Sequence, residues 1–195
     1  VTSNAWYRSD LIVFDLLANF NWERPVYFTS PSMGQNSELN KYLTADGLVY
    51  RFTPIIQPHS VDVEESYKHI MEDFEWGNLK GDITMDHYST RQIGWLRRAS
   101  LVLAQELLLA QDSTRAVNIL DKCMEEIPLF NAPADEATHR MSFIYLDAGE
   151  EAKGLALLRE STKRSTEELD YFLSFSDKYK LMELPNMAER SEALA

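Results

Sequence analysis

Residues 110–120, AQDSTRAVNIL, and residues 148–158, AGEEAKGLALL, align without a gap at an offset of 38 positions. Each stretch reads as the end of one helix, a tight turn and the start of the next. Small residues recur at Ala104/Ser142 and at Ala116/Gly154, where two helices must approach closely, with large ones beside them. In the first copy Leu103, Ala104 and Leu107 suit the first helix, and Ala116, Leu120 and Cys123 suit the second. Met141, Ser142, Tyr145, Gly149, Gly154 and Leu158 hold the equivalent places in the second copy. A fixed offset between self-similar hairpins is the signature of a stacked helical repeat.

The pattern resembles tetratricopeptide repeats, whose period is ~34 residues. It departs from them at Ser100 and Thr138, where that repeat has tryptophan, and at Thr166, where the closing proline of the first copy (Pro128) has no counterpart. Two hairpins are fewer than the ~3 that usually make a stable stack. The α/β segment and a helix over 62–74 are therefore expected to cap one end, and a helix over 165–182 the other.

Outward from the repeat, the spacing predicts a long helix from Asp86 to Ala110, apolar nearly all round between Leu96 and Leu109 and so buried between neighbours. Helices over Ser113–Ile127, Asp135–Ala148 and Glu150–Lys163 follow. Ser165-Thr166-Glu167-Glu168 reads as a capping box opening a last helix with Leu169, Phe172, Leu173 and Tyr179. Upstream, Ser9 caps a first helix over 9–20 with Ile12, Val13, Leu16, Leu17 and Phe20 on one face. Val26–Thr29 and Leu48–Thr53 read as two short strands, separated by the loop Ser30-Pro31-Ser32-Met33-Gly34 and a brief helical segment at Glu38–Leu43; Pro54 and Pro58 end the second strand. Asp62 and Glu65 form a capping box before Tyr67, Ile70, Met71 and Phe74, and Trp76-Gly77-Asn78 stops that helix. From residue 61 onward only helices are expected. The predicted class is α+β, mostly α: a two-stranded segment with helices (1–80), a repeat-like stack of α–α hairpins (81–185) and a frayed tail (186–195).

Composition narrows function by exclusion. Of 195 residues, 31 are acidic and 19 basic, a formal net charge of −12, which disfavours phosphate backbones and anionic lipid. Apolar residues at 45% and aromatics at 11% describe a chain that folds. The lone Cys123 excludes an internal disulfide and leaves the compartment open. No stretch approaches the ~20 apolar residues of a membrane span. The chain opens Val-Thr-Ser-Asn and reads as a piece of something longer.

Three phrases carry a second resemblance: Asn21-Trp22-Glu23-Arg24-Pro25-Val26-Tyr27-Phe28, then Tyr42-Leu43 with Asp46-Gly47-Leu48-Val49-Tyr50-Arg51, then Phe74-Glu75-Trp76-Gly77-Asn78. In this order, followed by helical repeats, they resemble the soluble C-terminal region of a bacterial family of multi-span membrane proteins similar to GT-C glycosyltransferases, including protein O-mannosyltransferases. The resemblance runs from about Ser9 to Leu173. It implies a periplasmic domain whose parent carries out transfer chemistry in loops upstream, so it assigns no catalytic residue here. The alternative is a free-standing, cytoplasmic peptide-binding adaptor.

The residues themselves point the same way. His59, His69, His87 and His139 are scattered, without metal-ligand spacing. Cys123, at a small-residue place, reads as buried and inert. Adjacent acidic pairs (Glu64/Glu65, Glu125/Glu126, Glu167/Glu168) diverge on helices and do not converge on a substrate. No catalytic, cofactor or metal residues are expected. Two binding candidates remain. Trp22, Arg24, Tyr27, Tyr50, Arg51 and Trp76 form an aromatic–arginine set able to stack on a sugar or clamp a carboxylate, with core filling and internal ion pairing as the plainer use and a concealed hydrolase as the third possibility. On the first helices of the hairpins, Arg98, Leu101, Gln105, His139, Phe143 and Asp147 mark a groove for a protein or peptide partner. Glycan is the other partner class; nucleic acid is excluded, and membrane enters only through an upstream part.

Overall fold

The computed structural model describes residues 8–29, 37–56, 60–175, 184–188 and 191. The loop Ser30-Pro31-Ser32-Met33-Gly34, Pro58, His59 and Tyr179 lie outside the described residues, as do the side chains of Ser9 and His87. Most of the tail expected to fray (186–195) lies outside them too, but residues 186–188 of it belong to a helical turn over 184–188. The class is α+β, mostly α. Two compact units divide the chain, Val1–Asp73 and Phe74–Ala195.

The first unit opens with α1 (Arg8–Ala18), then β1 (Val26–Phe28), a 3₁₀ segment (Ser37–Tyr42), β2 (Leu43–Asp46), β3 (Val49–Phe52) and α2 (Val63–Lys68), which runs into a π-helical turn at His69–Asp73. The sheet is antiparallel with order β1-β3-β2. Three strands replace the two expected. The missed one, β2, ends at Asp46-Gly47, where Gly47 adopts φ +64 and turns the chain back into β3. Asp-Gly before an apolar alternation is a hairpin signal, since the turn needs a left-handed residue.

Register decides which side chains share a face. Val26 lies opposite Phe52 and Phe28 opposite Tyr50, so these four point inward together. Around buried Leu43 and Phe52 pack Val13, Leu17, Val26, Phe28, Leu39, Tyr42 and Tyr50. Of the apolar row predicted on α1, only Val13 and Leu17 join this core; Ile12 and Leu16 are 68% and 49% exposed. Asp62 caps α2 by accepting from the Glu65 amide, as the capping box predicts. Extended backbone recurs beyond residue 60, where only helix was expected: Val61 bridges Ala45 in parallel.

The second unit is two helical hairpins, α3 (His87–Leu109) with α4 (Ser113–Glu126) and α5 (Glu136–Asp147) with α6 (Glu151–Leu173). α3 also packs on α5, and α4 on α5. Asp86, Asp112 and Asp135 cap α3, α4 and α5 through their carboxylates. The offset of 38 holds bond for bond at the two hairpin turns. The amides of Ala110, Gln111 and Asp112 donate to the carbonyls of Glu106, Leu108 and Leu107; those of Ala148, Gly149 and Glu150 donate to Ile144, Leu146 and Tyr145. Both turns pass through a left-handed residue, Gln111 (φ +62) and Gly149 (φ +87).

Burial repeats with the turns. Leu103/Met141, Ala104/Ser142, Leu107/Tyr145, Ala116/Gly154, Ile119/Leu157 and Cys123/Ser161 are all buried, each pair one offset apart. A Cβ built on Gly154 would sit 2.9 Å from the Ser142 carbonyl oxygen and 2.7 Å from Leu146 Cγ, so α6 crosses α5 at a distance only glycine allows. α3 is less enclosed than its sequence suggests: Leu109 is 80% exposed.

One boundary differs. α6 runs unbroken from Glu151 to Leu173, through the Ser165-Thr166-Glu167-Glu168 stretch read as the start of a new helix. Between Gly154 and Leu173 there is no glycine or proline to end it. The hydroxyl of Thr166 bonds back to the Thr162 carbonyl, and Arg164–Glu168 (2.7 Å) and Lys163–Glu167 (4.0 Å) pair across the expected break. No helix among the described residues is long and apolar enough to cross a membrane.

Candidate functional site

A cleft of about 270 Å³ lies where the front of α3 meets the start of α5, lined by Arg91, Gly94, Trp95, Arg98, Asp135, Glu136 and Ala137. Its position follows from the sequence locally. Arg91, Trp95 and Arg98 are spaced 4 and 3 apart on α3 and share one helical face. Asp135 ends the loop after α4 and caps α5, which brings Glu136 and Ala137 to the opposite wall. Arg98 pairs with Glu136 at 3.5 Å, equivalent positions of the two hairpins, and its guanidinium stands over the Trp95 ring at 6.0 Å.

The wall is held by a residue that sequence reasoning missed. Arg97 is 1% exposed, and its guanidinium donates to the carbonyls of Ala132 (2.5 Å), Pro133 (2.8 Å) and Ile127 (3.5 Å), with Asp135 Oδ2 at 3.4 Å. Buried charge is tolerated only with such pairing. Arg97 thus ties the 127–135 loop to α3 and sets where α5 begins. No local signal marks it, because its partners lie 30–38 positions downstream.

The predicted groove residues fall unevenly. Arg98, Phe143 and Asp147 are exposed and Gln105 is half-buried. Leu101, at 3% exposed, belongs to the core and cannot line a groove. His139 turns toward α6: its Nδ1 lies 3.1 Å from the Ser161 hydroxyl and its ring meets Phe143 edge-on, and burial holds its pKa below the usual value.

The aromatic–arginine set is dispersed. Tyr27 and Arg51 are register partners on one face of the sheet, whereas Tyr50 turns into the core on the other. Arg51 pairs with Asp62 at 2.6 Å, an internal ion pair that accounts for it structurally. Trp22 stacks on Phe52 with centroids 6.0 Å apart; Arg24 is exposed. Trp76 belongs to the second unit, edge-on to Phe74. His69 stands between two carboxylates, Asp73 at 2.8 Å and Asp46 at 3.3 Å. Among the described residues, no group of three or more His, Cys, Asp or Glu is placed to hold a metal ion.

Residues 1–71 match the family model of TMEM260-associated domain 2, a TMEM260-related family. The matched stretch nearly coincides with the first compact unit and leaves the hairpins outside it. No curated protein and no solved structure matches the chain.

Cys123 has no exposed surface, and burial pushes its thiol from an ordinary value near 9.0 up to about 11. A raised thiol favours the fold fully below the unfolded value, and that contribution is lost as pH rises toward about 11. The native thiol is therefore expected to resist an aromatic disulfide reagent at pH 8 and to react stoichiometrically in denaturant, with stability declining above pH ~9. Prompt reaction of the native protein would show that the α3–α4 crossing is open.

Proposed function

We propose that this chain is a non-catalytic interaction module of a larger membrane glycosyltransferase-like protein, placed on the periplasmic side, where its tetratricopeptide-like hairpins hold a protein or glycan acceptor. The observation that carries the reading is the pair of hairpins repeating at one offset, with a cleft on their first helices at Arg91, Trp95 and Arg98. Stacked hairpins offer such first-helix faces to extended ligands. Residues 1–71 match a domain named as TMEM260-associated, and we read that name as pointing to a module that works together with another protein part. The membrane-enzyme part rests on the ordered phrases from Asn21 to Asn78.

Two measurements test this. Translating the coding sequence upstream of Val1 should reveal several apolar spans of ~20 residues; their absence would favour the free-standing adaptor. In the intact parent, Arg98→Ala and Phe143→Ala should raise KM for the acceptor about tenfold while kcat holds, the pattern of lost binding. A collapse of kcat at constant KM would contradict a recognition role.

A further inference from the structure

The cleft on α3 and α5 carries a charge that the fold does not use. Asp135 is occupied by Arg97 and by the amide and hydroxyl of Thr138, and Glu136 is shared between Arg98 and Arg140, each at 3.5 Å. Arg91 remains. It is exposed, no carboxylate pairs with it among the described residues, and its neighbours at three and four positions along α3 are His87, Tyr88, Gly94 and Trp95. The lining holds two arginines and two carboxylates, and both carboxylates are taken up by other partners, which leaves the Arg91 guanidinium as the uncompensated charge of the cleft. An uncompensated cation on a chain of net charge −12 favours an anionic partner at this place over water.

Gly94 is a second, independent observation. Inside a helix glycine is the costliest residue other than proline, and here packing does not demand it. A Cβ at Gly94 would meet nothing closer than Asp135 Oδ2 at 3.8 Å, ordinary contact. The contrast with Gly154, where a Cβ collides with backbone, is direct. A local rule broken without a packing reason is what binding sites show. Any side chain at position 94 would project into the cleft that Arg91, Trp95 and Arg98 border.

Trp95, 49% exposed, supplies an apolar wall beside the two guanidiniums. At about 270 Å³ the cleft is smaller than the ~300–1,000 Å³ that encloses a small molecule. It suits a side chain or two of a longer ligand that continues along the helices. We propose that it anchors an acidic peptide segment, a Glu or Asp carboxylate on Arg91 and Arg98 with the adjoining apolar residue against Trp95. This deepens the interaction-module reading and rests on it for its biological meaning, though not for its chemistry.

The test uses the whole 195-residue chain and a labelled hexapeptide of alternating glutamate and leucine, followed by fluorescence anisotropy. Saturable binding is expected, weakened at least about tenfold by Arg91→Ala with Arg98→Ala and by Trp95→Ala, and falling with added salt. Gly94→Leu should weaken binding as strongly while raising the unfolding temperature, which separates a filled cleft from a damaged fold. No binding, equal binding of the glutamine–leucine hexapeptide, or affinity unchanged in the Gly94→Leu protein would each overturn the proposal. So would tighter binding of a sulfated oligosaccharide at the same residues, or a dimer whose formation the same variants abolish. If hexapeptide binding fails while Arg98→Ala still raises KM in the parent, only this inference falls. If the hexapeptide binds as described and KM stays constant, the cleft stands and the accessory role in the parent falls.

Discussion

Arg97→Ala is expected to destabilise the helical unit by about 3–5 kcal/mol, the cost of removing one member of a buried charge network. The substitution leaves the Ala132, Pro133 and Ile127 carbonyls without this donor, in a place where water has no access to the guanidinium, and takes from Asp135 its buried charge partner while Thr138 still donates to it. With total stabilities of about 5–15 kcal/mol, a loss of that size brings a domain near its folding threshold. Arg97→Met keeps most of the volume and still strands the carbonyls, so it should recover little. Arg97→Lys offers a compact ammonium in place of the planar fork and can reach only part of the set, and an intermediate loss is expected. Urea unfolding followed by circular dichroism checks the order Arg > Lys > Met ≥ Ala. Equal stability of all four would mean the 127–135 loop holds itself.

Gly154→Ala should lower stability by about 1–3 kcal/mol, the range for forcing an extra carbon into a packed crossing. Helix propensity pulls the other way, since alanine is better than glycine inside a helix by about 1 kcal/mol. Geometry decides which wins. One obstacle at Gly154 is the Ser142 backbone oxygen at 2.9 Å, which moves only if α5 moves. The flexible Leu146 side chain at 2.7 Å could yield; the carbonyl could not. A rise in the urea midpoint of Gly154→Ala would say that α6 stands off from α5.

The sequence exposed those features whose causes are local. Asp62 sits immediately before its helix with an apolar period behind it, and it caps as read. The hairpin turns were visible because the same residue sizes return after 38 positions. What escaped reading depends on distant partners or on competition between two local signals. Arg97 looks like one more charge on α3 until the loop after α4 folds over it. Leu101 fits a groove by helical phase, but at 3% exposed it belongs to the core of the helical unit. Ser165-Thr166-Glu167-Glu168 has the form of a capping box, and a helix already under way simply continues through it. The Asp46-Gly47 turn was legible and went unused beside the stronger strand of Val49–Phe52. Within the candidate cleft only Arg98 was anticipated; Arg91, Gly94 and Trp95 become meaningful once Asp135 and Glu136 face them.

The most direct check is a double-mutant cycle in urea with Gly154→Ala and Leu146→Ala. If paired helices meet through close glycine and alanine contacts, shortening Leu146 should relieve part of the clash, and the two substitutions should couple by at least about 0.5 kcal/mol in the favourable sense. Simple additivity, with Gly154→Ala stabilising in either background, would contradict the crossing on which the proposed recognition face is built.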